Sequence, residues 1–179
     1  MRTHKNFYYS WFKINGLKPL PLNPIIKISN QIDSLFGNEV STALPLEEIQ
    51  FEYSKRTGRI KNFSVRNQLI ATLRTDGGLA LTVFGAQELS KSKQFKKNCV
   101  IPVQEALPFV SEGRSLFCKH VQWCGSNVRP GSDVAVLDSC INNGKVVATG
   151  VALFGNAVMA RYDKGVAVRI REGIKSRKN

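Results

Sequence analysis

Pro108-Phe109-Val110-Ser111-Glu112-Gly113-Arg114-Ser115-Leu116-Phe117-Cys118-Lys119-His120-Val121 is the stretch whose reading decides the fold. Its spacing predicts a short helix over 104–112, a left-handed cap at Gly113 and an apolar, lysine-bearing strand over 116–121. Arg129-Pro130-Gly131-Ser132 reads as a turn into a strand over 133–138. A hairpin turn at Asn143-Gly144 then leads to a strand over 145–153, a short helix over 156–162 and a last strand over 166–170, with Arg169 in it and Arg171 just beyond. Short strands at regular spacing around so little helix predict a small barrel.

Upstream the pattern differs. Residues 1–22 mix Phe7, Tyr8, Tyr9, Trp11 and Phe12 with lysines and have no clear period. Such an arm stacks on bases, docks on a partner or packs on the domain behind it. Asn23-Pro24 is a helix start, and Ile25, Ile28, Ile32, Leu35 and Phe36 recur at helical steps until Gly37, which predicts an amphipathic core helix. Strands follow over 47–53 and 60–65, then over 67–75 and 79–84 joined by Asp76-Gly77-Gly78. A helix over 86–91 closes this first unit. Lys91, Lys93, Lys96 and Lys97 crowd the link to the second, as a phosphate-holding junction or a solvated linker.

A chain of 179 residues with 42% hydrophobic content can bury a core as one domain or two small ones. No apolar run approaches membrane-spanning length and no secretory leader pattern is present, so no membrane partner and a cytoplasmic location are expected. Lys and Arg number 26 against 13 Asp and Glu, a net charge of +13. The excess is shared: residues 1–98 carry fifteen basic and seven acidic side chains (+8), and 99–179 carry eleven and six (+5). A polyanion is the natural partner of such a surface. Cys99, Cys118, Cys124 and Cys140 show no CxxC spacing and the histidines are only His4 and His120, so buried or half-buried reduced thiols are expected and no metal site or cofactor is implied. Asp33, Asp76, Asp133, Asp138 and Asp163 fall at turns or element ends, where Asp commonly caps or bonds its own backbone. No Ser/His/acid or glycine-rich phosphate motif has the context it needs, so no catalytic residue is assigned.

The order and wording of the second unit resemble the PUA domain, an RNA-binding module. The resemblance rests on 108–110 through 119–121, on Arg129-Pro130-Gly131-Ser132-Asp133-Val134, on Val147-Ala148-Thr149-Gly150-Val151-Ala152 and on Lys164-Gly165-Val166-Ala167-Val168. His120 stands where an aromatic is common, and Ser132 where an acid often stands. The first unit resembles the domain that precedes PUA in archaeosine tRNA-guanine transglycosylases, through Asp33-Ser34-Leu35-Phe36-Gly37, Ser54-Lys55-Arg56-Thr57-Gly58-Arg59-Ile60-Lys61, Ala71-Thr72-Leu73-Arg74 with Asp76-Gly77-Gly78, and Phe84-Gly85-Ala86. Archaeosine synthases share this pair of domains. The fold so implied is α+β, a small α/β sandwich-like domain over 23–98 followed by a PUA pseudo-barrel of mixed strands over 99–175. The arm at 1–22 and a basic tail at 176–179 flank them.

In that family these domains hold tRNA, PUA taking the acceptor stem and CCA end, while a separate barrel exchanges the base. The barrel's aspartates and zinc cluster have no counterpart in this sequence. The resemblance therefore implies a non-catalytic tRNA-binding subunit, like a stand-alone archaeal PUA-domain protein, that partners a separate catalytic barrel subunit. A free-standing RNA-binding factor in ribosome assembly or translation is the alternative, and an enzyme using a cysteine on tRNA a third. Candidate RNA-binding residues are Gly113, Arg114, Phe117, Lys119, Arg129, Lys164, Gly165, Arg169 and Arg171 in the second unit, and Arg59, Arg66 and Arg74, read as exposed strand arginines, in the first. Phe117 stacks on a base if it faces outward; its strand position predicts core instead.

Overall fold

A computed structural model describes residues 23–139 and 144–176. The arm at 1–22, Cys140, Asn143 of the expected hairpin turn and tail residues 177–179 lie outside them.

Helix α1 (Pro24–Phe36) begins where the sequence places it, because the Asn23 side chain accepts the Ile25 N–H at 2.9 Å and Pro24 needs no donor partner at the first helical position. Ile28, Ile32 and Phe36 form its buried stripe. Leu35, expected in that stripe, is 40% exposed, since a step of one residue turns a side chain about 100° around the axis. Strands β1 (Ile49–Tyr53), β2 (Ile60–Val65), β3 (Gln68–Leu73) and β4 (Leu79–Leu81) form an antiparallel sheet in chain order. Arg66 and Asn67, at φ 51° and 62°, make a two-residue turn between β2 and β3. Helix α2 (Val83–Leu89) starts three residues before the expected 86 because the Thr82 hydroxyl caps it, accepting the Gly85 N–H at 2.9 Å. Gly85 lies so close to the Ile70 carbonyl that any Cβ would overlap it.

The second sheet has the order β6-β10-β9-β8-β5-β7. Its strands are β5 (Cys99–Pro102), β6 (Leu116–Phe117), β7 (Val121–Cys124), β8 (Asp133–Leu137), β9 (Val146–Ala152) and β10 (Val166–Gly173). Only β5 and β8 pair in parallel. The single strand expected over 116–121 is split: a 3-10 turn at Cys118–His120 sends its halves, β6 and β7, to opposite edges of the sheet, which nearly closes as a barrel. Two further expectations shift at their ends. The helix expected over 156–162 spans only Asn156–Met159, and β10 runs on to Gly173. Among the described residues no helix is long and apolar enough to cross a membrane.

The two sheets share an interior. Cys99, Ile101, Ala135, Leu137 and Val146 of the six-stranded sheet pack in the same buried cluster as Ile28, Phe36, Phe63 and Phe95. The Phe36 and Phe95 rings meet edge to face at 5.3 Å, worth about 0.5–1.5 kcal/mol beyond area burial. Polar links cross the same boundary: Thr149 Oγ1 donates to the Leu81 carbonyl (2.9 Å), the Val146 N–H to Gln87 Oε1 (2.8 Å) and the Val83 N–H to Glu172 Oε2 (3.1 Å). A second cluster around Val110, Leu116, Val134, Val136 and Val168 fills the barrel.

Candidate nucleic-acid interface

Helix α3 (Leu107–Ser111) ends in a Schellman motif. Gly113, at φ 94°, donates to the Val110 carbonyl at 2.9 Å and Arg114 to the Phe109 carbonyl at 3.0 Å. The motif folds Arg114 back over the helix, so its guanidinium sits 5.4 Å from the centre of the Phe109 ring, which is 52% exposed. A side chain at position 113 would be strained by that φ, and its Cβ would stand 2.6 Å from Ser176 Oγ. The glycine thus sets where the cation and the aromatic point.

Phe117 faces solvent at 47% exposure, against the expectation that it joins the core. Leu116 fills the barrel instead, and strand alternation turns its neighbour outward. Phe117 pairs with Val166 across β6 and β10, and the Cys118 N–H donates to the Gly165 carbonyl at 3.0 Å. That contact brings Phe117 and exposed Lys119 together with exposed Lys164 and Gly165. Gly165, at φ 93°, lies against the Phe154 ring, and the Phe154 ring stacks on Tyr162 at 6.5 Å between centroids. Tyr162, 58% exposed, extends this aromatic and cationic edge and was not among the sequence candidates. Its signal was an aromatic directly before the turn formers Asp163-Lys164-Gly165.

The remaining arginines divide. Arg129 is exposed in the turn before β8, where its N–H donates to Ser132 Oγ at 2.7 Å, and none of its hydrogen bonds reaches the Phe117 edge. Arg59 is exposed in the turn between β1 and β2. Arg66 clasps Glu48 at 2.7 and 3.1 Å, and this hydrogen bond holds the Glu48 carboxyl below the usual range. Arg74 is no exposed strand arginine. It leaves the first sheet to meet Asp133 of β8 at 3.1 and 3.2 Å, and also bonds Asp76. Asp133 in turn accepts from Arg171. Its side chain is 5% exposed, so this aspartate bridges two guanidiniums rather than capping its own turn. Burial pushes its carboxyl up, and Arg171 and Arg74 pull it back only in part. Asp76 moves the other way, held low first by the Gly78 N–H and then by Arg74.

The described thiols, Cys99, Cys118 and Cys124, are set into the packing. Cys99 is buried and pushed up to about 12 by desolvation, Cys124 is half-buried and pushed up to about 11, and Cys118 is buried. Thiols held so far above neutrality are poor nucleophiles. Among the described residues, no three His, Cys, Asp or Glu side chains converge as a metal site.

Residues 100–174 match the PUA domain, and residues 28–96 match the patch-forming domain C2 of tRNA-guanine transglycosylase. The tRNA-guanine(15) transglycosylase of Methanobrevibacter smithii is 32% identical over 150 residues, 83% of this chain and 22% of that protein. That of Methanococcus vannielii is 30% identical over 173 residues, 95% of this chain and 26% of that protein. The chain thus spans about a quarter of the length of these relatives. In fold it is similar to a hypothetical protein of Pyrococcus horikoshii (TM-score 0.66, 19% identity, 85% of this chain and 90% of that one) and to a PUA domain of Aeropyrum pernix (TM-score 0.58, 16% identity, 83% and 80%). Residues 28–96 therefore belong to the C2 domain family of tRNA-guanine transglycosylases and residues 100–174 to the PUA domain family.

Proposed function

We propose that this chain grips tRNA, through its acceptor stem and single-stranded CCA end, for a tRNA-guanine transglycosylase or related modification reaction whose chemistry a separate catalytic barrel carries out in the cytoplasm. In this reading 23–98 and 99–175 are its two domains, and it contributes binding and positioning rather than a reacting group. The observation that carries the reading is the edge where exposed Phe117 meets Lys119, Lys164 and Gly165, on a fold of the PUA family. Aromatic faces beside unpaired cations suit splayed bases and their phosphates, because stacking contributes about 1–3 kcal/mol per base and cations hold the backbone. The sequence kinship with transglycosylases supports tRNA over other RNAs. Holding a substrate in place can lower a barrier by about 7–11 kcal/mol without a reacting group, so binding and chemistry can be divided between chains.

The test has two readouts. Binding of the full chain to tRNA with and without its CCA end should differ, with the truncated tRNA bound more weakly and Phe117→Ala narrowing the gap. In a base-incorporation assay the chain alone should be inactive and should stimulate a verified barrel-only transglycosylase. Equal affinity for both tRNAs would remove the CCA assignment. Incorporation by the chain alone, or no stimulation of the barrel, would remove the division of labour.

A further inference from the structure

Arg169 is a cation that the fold leaves without a partner. Its side chain forms no ion pair or hydrogen bond among the described residues, whereas Arg74 and Arg171 both bond Asp133. Register explains why it stands beside them. Arg169 pairs with Val151 across β10 and β9, and Val151 pairs with Asp133 across β9 and β8, so the three stand in one row on one face of the sheet. Arg171 follows two residues on, where the register shifts between Ile170 and Glu172. Arg74 arrives over this row from the first sheet.

Together they line a groove of about 490 Å³, with Arg74 and Ala80 on one wall and Val151, Leu153, Arg169 and Arg171 on the other. Of its three guanidiniums Arg74 and Arg171 contact two carboxylates, Asp133 and Asp76, and Arg169 contacts neither, which leaves one positive charge in excess. The volume lies in the range of small-ligand sites. Fixed guanidinium donors beside an apolar floor suit a phosphate and its sugar.

We propose that this groove holds one backbone nucleotide of the bound RNA, its phosphate on Arg169 and its ribose over Val151 and Leu153. The inference rests on the RNA-binding reading above and adds a contact built jointly by both sheets, one strand over from Phe117. Asp133 has a definite part in it: by tying Arg74 to Arg171 it fixes two donors before RNA arrives.

The experiment measures tRNA affinity across a salt series for wild type, Arg169→Ala and Arg169→Lys, with inorganic phosphate and a nucleoside monophosphate titrated separately while the Arg169 side-chain N–H is followed by NMR. Because the Arg169 side chain bonds nothing among the described residues, its variants should melt like wild type. Arg169→Ala should weaken tRNA binding about three- to ten-fold and reduce the log–log salt slope by about one. Arg169→Lys should retain the slope, with the N–H signal shifting in wild type on addition of tRNA. Wild-type binding matched by Arg169→Ala in both affinity and slope would overturn this inference and leave the RNA-binding reading intact. Failure of wild type to bind tRNA would overturn both. Saturation by the free mononucleotide with tRNA binding unaltered in Arg169→Ala would reassign the groove to a small ligand and overturn the backbone assignment.

Discussion

Replacing Asp133 by alanine removes the carboxylate that bridges Arg74 and Arg171 at the boundary of the sheets. The aspartate side chain is 5% exposed and the Arg74 and Arg171 side chains are 27% and 30% exposed, so its loss strands two half-buried guanidiniums, of which Arg74 keeps Asp76. Breaking a buried pair by removing one partner costs about 3–5 kcal/mol, chiefly the penalty of the stranded charge. For a chain of this size each kcal/mol lowers the melting temperature by about 2–4 °C, so the expected fall is roughly 6–20 °C. Asp133→Asn keeps one carbonyl acceptor and should recover part of it. Urea denaturation followed by circular dichroism gives the free energy directly. A loss below about 1 kcal/mol in Asp133→Ala would mean that the arginines are already solvated, and the account of this cluster would be wrong.

Other outcomes follow from single residues. Gly113→Ala should lower stability by about 1–2 kcal/mol, because the φ of 94° is left-handed, and should also weaken tRNA binding by displacing Arg114 from Phe109; unchanged denaturation would refute it. Alkylation at pH 8 mapped by mass spectrometry should leave Cys99 and Cys124 unmodified in the folded protein and label both in urea, since burial keeps them as thiols. The Glu48 carboxyl is held low by Arg66, so its contribution is present above the unfolded value of about 4.3 and is lost on acidification. Glu48→Gln should therefore flatten the acid limb of a stability–pH curve, and an unaltered limb would show that the pair is immaterial.

Local rules sufficed wherever one residue type decides the geometry. Asn23-Pro24 and Gly37 bound α1, and Gly113 closes α3, because caps are written within three or four residues. Strands β8 to β10 were legible for the same reason, through turns and alternation, whereas β5 was not read as a strand. What failed depended on partners far along the chain. Phe117 looks like core until β6 is seen to be two residues long at a sheet edge, and Cys118–His120 looks extended until β7 is needed on the opposite edge. Arg74 and Asp133 are 59 positions apart, and nothing local to either announces the other. Arg169 and Arg171 were named as candidates from their position near the last strand, but their difference in pairing is a property of the assembled sheet.

The interior shared by the two sheets has a metrical consequence. A flexible tether would let each RNA contact find its own phosphate, and the protein would tolerate many shapes. Here Cys99, Ile101, Ala135, Leu137 and Val146 are set into the same close-packed core as Ile28 and Phe36, and close-packed interiors do not deform continuously. The gap between Arg74 of the first sheet and Arg169 of the second is therefore a fixed length, and the two walls of the groove stand like the jaws of a calliper. On the RNA-binding reading proposed above, an RNA that touches both walls must present its backbone at that gauge.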